Sequence, residues 1–211
     1  MINERSEMKM NDSMIFLTIS EQIKNSIKER IVNGELTENT PLREQELSTE
    51  FGISRGPVRD ALKELTKEGF LVAKPNAGVR VAYRPKEDVL DLVIHLRKEI
   101  EGFVIEHIIE TITDDDIAHL ENILDQMKKA CQEDNINTVE ILDNRFHKYL
   151  VEHYKDTHLL ELWMFIGNCM VYRYDRFNDL MGSYMEHQNI LEAIKKKDKK
   201  QTIELLNTNI Q

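Results

Sequence analysis

Between residues 43 and 65 two helical apolar patterns are separated by a turn of three residues, and no feature of the chain restricts its fold more. In REQELSTEF (43–51), Leu47 and Phe51 stand four apart; in RGPVRDALKEL (55–65), Val58, Leu62 and Leu65 form one side. Gly52 ends the first helix and Ser54 is a suitable N-cap for the next. Pro57 then falls in the first turn, where its missing N–H breaks no intrahelical bond. Upstream, Ile19, Ile23, Ile27 and Ile31 put one apolar face on a helix over 14–33, with Gly34 as its stop. Downstream, Gly69 closes the third helix, and FLVAK and VRVAY alternate around PNAG as a two-strand hairpin. Helix, helix, tight turn, helix, hairpin is a winged helix-turn-helix. It is expected over residues 14–84, after a flexible polar N-terminus of residues 1–13.

Such a unit lays its third helix in the major groove of double-stranded DNA. Arg55 and Arg59, at the exposed N-terminal end of that helix, are placed to donate bidentate bonds to guanine or phosphate. Gly78 lets the wing backbone approach closely. The net charge of −10 argues against nucleic acid until its distribution is read. Residues 1–84 carry 13 basic and 13 acidic side chains, and residues 85–211 carry 15 and 25. Within 51–84 there are seven basic and three acidic residues. An acidic body repels phosphate and leaves binding to one basic patch. A boundary near residue 84 follows. No apolar run approaches the roughly 20 residues that span a bilayer. The N-terminus lacks the apolar core of a secretory signal, and Cys131 and Cys169 stand without a CxxC partner. A cytoplasmic protein without membrane association is the expectation.

After Pro85 the patterning is helical throughout, over about 86–111, 114–133, 135–154, 156–181, 183–197 and 199–211. Thr113, Asp134/Asn135 and Asp156/Thr157 mark helix starts, and KKKDKK (195–200) is a solvated turn. The fold class is therefore mainly α: a winged helix-turn-helix followed by an antiparallel bundle of about six helices. No phosphate-binding glycine loop or nucleophile elbow occurs in the bundle.

One constellation in the bundle can carry chemistry. LDNRFHKYL places Asp143 and His147 at i and i+4, so carboxylate and imidazole project from one helical face and can share a divalent cation. The last two helices turn near Asp198, which lies equally far from His187 and Asn209. As an antiparallel pair they set those two residues opposite each other. Asp143, His147, His187 and Asn209 are therefore expected to converge. Asn209 is a neutral, hard oxygen donor, suited to a water on the metal or to an organic ligand. Arg97, flanked by apolar residues in VIHLRKEIEG, is expected to point inward, where a guanidinium needs an anion. A metal and an arginine in one cavity suit a small carboxylate.

LREQELSTEFGISRGPVRDALKELTKEGFLVAKPNAGVRV closely resembles the DNA-binding domain of GntR-type bacterial transcription regulators. The bundle, with LDNRFHKYL and EHQNILEAIKKKD, is similar to the FCD effector domain of the FadR branch. The short connection after the wing and the six helices resemble the VanR-like subgroup. The resemblance implies DNA contacts by Arg43, Arg55, Arg59 and Gly78, and metal ligation by Asp143, His147 and His187. It implies an effector contact by Arg97. It further implies a homodimer on a palindromic operator, a divalent ion such as zinc, nickel or manganese, and a small organic acid effector. The FCD-type domain, residues 85–211, would bind the effector and dimerise. The sequence departs from the family pattern at three positions. Asn209 stands where a fourth histidine ligand is usual, Gly56 where threonine is usual, and Ala77 at an often basic wing position. Two other readings stand beside a ligand-responsive regulator that is not an enzyme. One is a metal-dependent enzyme with an N-terminal docking module; the other is a metal-free regulator that binds the acid directly.

Overall fold

The computed structural model describes residues 18–74, 78–170 and 179–210. The N-terminal unit runs α1 (Ile19–Val32), β1 (Pro41–Leu42), α2 (Glu44–Phe51), α3 (Arg55–Lys67), β2 (Leu71–Lys74) and β3 (Gly78–Val81). Thr18 and Glu21 cap α1 reciprocally. Ile23, Ile27 and Ile31 are buried as the four-residue spacing requires, whereas Ile19 is 56% exposed at the helix start. Gly52 takes φ +66° and closes α2 in the left-handed region, where a side chain would be strained.

Ser54 is the N-cap residue of α3, but its hydroxyl makes no capping bond. Pro57 explains part of this: it occupies the third helical position and has no N–H to donate to the cap. Its carbonyl instead accepts from the Ser20 hydroxyl at 3.2 Å, tying α1 to the start of α3. Val58, Ala61, Leu62 and Leu65 face α1 and the sheet in one core with Phe70, Leu71 and Val81. Gly69, at φ +85°, ends the helix, with Phe70 N–H donating to the Leu65 carbonyl at 3.0 Å.

The expected hairpin is present, with Leu71 opposite Val81 and Lys74 opposite Gly78. It has a third, unexpected antiparallel strand: β1 pairs with β3, Pro41 opposite Arg80, giving the order β1-β3-β2. The wing tip with Ala77, the N-terminal residues 1–17 and the last residue lie outside the described residues.

The second unit is helical: α4 (Glu87–Ile108), α5 (Asp114–Gln132), α6 (Ile136–His153), α7 (Thr157–Met170), α8 (Leu180–Lys195) and α9 (Lys199–Asn209). Thr113 and Asp116 form a capping box for α5, and Asn135, Asp179 and Asp198 cap α6, α8 and α9. One expected helix boundary is displaced. α8 begins at Leu180 under its Asp179 cap, so a helix over 156–181 overruns its C-terminal end; residues 171–178 lie outside the described residues. Periodicity carried through MVYRYDRFNDLM because nothing there resembles a breaker. The bundle core joins Val104, Ile105, Leu120, Ile123, Met127, Phe146, Trp163 and Ile190, all nearly solvent-free. The two units meet where the Phe165 ring on α7 lies 3.1 Å from the position a Cβ on Gly69 would take.

Candidate DNA-reading helix and buried ligand cluster

The N-terminal end of α3 is solvent-facing. Arg55 is its first residue and donates to the Gln45 side chain of α2, while Arg59 is exposed one turn on. Among the described residues Arg59 makes no ion pair or hydrogen bond. Lys63 continues the row, 4.0 Å from Asp60. Arg43, at the N-cap of α2, is 71% exposed and pairs with Glu46 at 3.0 Å. Gly78 opens β3 at φ +75°, with open space where a Cβ would stand. Arg43, Arg55, Arg59, Lys63 and Gly78 therefore present cationic or compact surface at the turn and the wing, and the contacts their side chains make are weak and exposed.

The second cluster is inside the bundle. α6 brings Asp143 and His147, α8 brings His187 and α9 brings Asn209, and all four are buried. One ligand atom from each of Asp143, His147 and His187 lies within 4.8 Å of the others. Asp143 Oδ1 is 3.3 Å from His187 Nε2, and His147 Nε2 is 3.0 Å from Asn209 Oδ1. The expected antiparallel pairing of α8 and α9 holds to within one residue: Asn209 meets both His147 and Glu186, the neighbour of His187.

The outer contacts fix which atoms face inward. His187 Nδ1 is 2.8 Å from the Ser183 carbonyl, which can only accept, so Nδ1 carries the proton and Nε2 presents a lone pair. That Nε2 makes no hydrogen bond among the described residues. His147 Nδ1 is 2.6 Å from Glu101 Oε2. Burial would raise the Glu101 carboxyl, yet His147 and Arg97, by charge and hydrogen bond, hold it at about 2. Burial pushes the His147 imidazole below its ordinary value against the pull of Glu101. Arg97 keeps its charge, so Glu101 retains a cationic partner when His147, as burial favours, is the neutral imidazole. Nδ1–H donates to Glu101, and Nε2 is again a lone pair. With each imidazole's proton on Nδ1, two imidazole nitrogens and two oxygens converge, the donor set a divalent cation takes up.

Glu101 escaped the sequence reading. It is 2% exposed, and its Oε1 accepts from Arg97 Nε at 2.7 Å and from Trp163 Nε1 at 2.8 Å. Its spacing of four from Arg97 on an apolar face was the available signal. Arg97 points inward as expected, but its first anion is Glu101; its Nη2 has no hydrogen-bond partner among the described residues. Glu186 and Ser183 also went unread, because their partners are fixed only by the fold. His107 and His153 find partners within the bundle, and His119 stacks on Tyr149; His95 and His158 are exposed.

Fold and cluster together define a winged helix-turn-helix protein with an all-helical companion unit that encloses a buried cluster of potential metal ligands. Its N-terminal unit matches the bacterial regulatory proteins of the gntR family over residues 19–81, and its bundle matches the FCD domain over residues 92–211. The chain belongs to the GntR family and carries an FCD domain; it is a transcription regulator and not an enzyme. It is 29% identical over 183 residues to the HTH-type transcriptional regulator YdhC of Bacillus subtilis, covering 84% of this chain and 81% of that one. It is 27% identical over 192 residues to the gluconate operon transcriptional repressor of Bacillus licheniformis, covering 87% and 78%. Among solved structures, E. coli McbR/YncC shares the fold at a TM-score of 0.70 and 23% identity, covering 92% of this chain and 94% of that one. Among the described residues no helix is long and apolar enough to cross a membrane.

Proposed function

We propose that this regulator is a cytoplasmic homodimer on a palindromic operator, switched by a small organic acid that binds beside a divalent metal in the bundle. The observation that carries this reading is the convergence of four buried acceptor atoms, three of which, on His147, His187 and Asn209, are oriented from behind by Glu101, Ser183 and Glu186. Asp143, His147 and His187 would hold zinc, nickel or manganese, and Arg97 Nη2 offers a donor for the acid. When bound, the metal supplies a positive charge that a carboxylate can share. Exposed Val89, Leu92, Leu96 and Phe103 on α4, with Leu162 on α7, supply apolar surface of the kind a two-fold interface covers. Repression is the mode named for the gluconate operon relative and is proposed here by likeness. The finer VanR-like placement rests on the short connection after the wing and the six bundle helices.

Arg43, Arg55, Arg59 and Gly78 are proposed to touch DNA. A double-stranded fragment selected from random sequence by the wild-type protein provides the probe. Arg59→Ala should weaken binding of that fragment by tenfold or more, as loss of a bidentate contact does, with circular dichroism and dimer mass unchanged. An unaltered affinity removes Arg59 from the mechanism.

A further inference from the structure

We propose that Asn209 is itself a metal ligand through Oδ1, that Glu186 holds its amide in the ligating orientation, and that this donor set lowers the site's preference for zinc over manganese. The inference rests on the metal reading given above and adds to it the fourth position and the class of ion.

An amide has an oxygen end and an N–H end of nearly equal shape, and only the oxygen end can ligate a cation. Glu186 Oε2 lies 2.8 Å from Asn209 Nδ2 and accepts its hydrogen. Turning the amide over would set its oxygen against that carboxylate oxygen, acceptor on acceptor. Oδ1 is therefore committed to the interior, 3.0 Å from His147 Nε2. In the tautomer that gives the Nδ1 proton to Glu101, that nitrogen is also an acceptor. Both atoms then turn a lone pair toward the space that Asp143 and His187 also line. Atoms bound about 2.1 Å from one ion at right or tetrahedral angles stand roughly 3.0–3.4 Å apart. The His147–Asn209 separation of 3.0 Å and the Asp143–His187 separation of 3.3 Å both match that bite.

Selectivity follows from the donor types. Two imidazoles, a carboxylate and an amide oxygen form a harder set than three imidazoles and a carboxylate. Zinc gains most from nitrogen donors, whereas manganese accepts oxygen readily. Zinc still binds more tightly in absolute terms, so the effect lies in the ratio. α8 contributes twice, with His187 as ligand and its neighbour Glu186 as the positioning residue for a ligand on α9.

The test uses the full-length protein, stripped of metal, with zinc and manganese affinities measured by chelator competition and by the manganese spin-resonance signal. Asn209→Ala and Glu186→Leu should each weaken manganese binding tenfold or more, the range seen when outer partners of ligands are removed. Glu186→Leu should add nothing in the Asn209→Ala background, and Glu186→Gln, which can still accept from Nδ2, should restore most of the affinity. Asn209→His should raise the zinc-to-manganese ratio at least tenfold. Thermal melts of the metal-free proteins separate these effects from misfolding. Manganese binding that survives Asn209→Ala but is lost in His147→Ala overturns this proposal and leaves the metal centre standing. Binding of neither metal by wild type overturns both. A Glu186→Leu loss that persists in the Asn209→Ala background overturns the positioning role.

Discussion

Replacing Glu101 by glutamine changes one oxygen to an amide and should unsettle the whole bundle interior. The carboxylate accepts from Arg97 on its own helix, from His147 on α6 and from Trp163 on α7, at 2.6 to 2.8 Å. A glutamine oxygen can keep Arg97 and Trp163, but its NH2 then faces His147 Nδ1–H, donor to donor. The ring escapes by moving its proton to Nε2, which can donate to Asn209 Oδ1. No such escape exists for Arg97, which keeps its charge with its buried counter-ion gone. Breaking a buried pair from one side costs about 3–5 kcal/mol, a large share of the roughly 5–15 kcal/mol that holds a domain folded. Trp163 is the only tryptophan of the chain and is buried in the bundle, so its emission follows unfolding of that unit. Urea titration at neutral pH should show a loss in that range, and metal affinity should fall because Nε2 is now protonated. A loss below about 1 kcal/mol would refute the assignment of Glu101 as the counter-ion of Arg97.

Two further outcomes follow from the ends of helices. Burial would raise the Asp116 carboxyl, but the Thr113 and Tyr149 hydroxyls and the Thr113 N–H hold it at about 2. A depressed acid stabilises the fold above its unfolded value, and that contribution is lost as pH falls toward 2. Asp116→Ala should therefore cost about 1 kcal/mol near neutrality. Its difference from wild type in urea unfolding should shrink between pH 4 and pH 2; a difference that ignores pH would refute this. Gly69→Ala forces a side chain to φ +85° and places its Cβ 3.1 Å from the Phe165 ring. The ring can turn aside, so backbone strain of about 1–2 kcal/mol should dominate. Phe165→Ala should then relieve little of it in the double variant, as unfolding by circular dichroism will show.

What the sequence made legible was whatever repeats locally. Ile23, Ile27 and Ile31, or Val58, Leu62 and Leu65, declare a buried face through spacing alone, and Gly52 and Thr113 declare helix ends through backbone chemistry. β1 could not be read, because two residues carry no period and its partner Arg80 lies far along the chain from Pro41. The start of α8 was misplaced for a related reason: an aspartate cap inside a polar run resembles many other aspartates. Of the buried cluster, Asp143 and His147 announced themselves by sharing a helical turn, and Asn209 by symmetry about Asp198. Glu101 and Glu186 did not, since each acquires its meaning from side chains on other helices. Spacing can suggest a ligand; what orients it becomes visible only after packing.

The meeting of Phe165 with Gly69 gives α7 a mechanical character. Trp163 holds one side of that helix to Glu101, and Phe165, two residues on, bears against the tail of α3. With 13 residues, α3 is a bar about 20 Å long. A tilt of about 5° set at its Gly69 end would swing Arg55, at the other, by on the order of 2 Å over that length. For the DNA contact proposed for Arg55, that travel would be enough to part the guanidinium from a base edge, so a small roll of one bundle helix would have the leverage to loosen the grip.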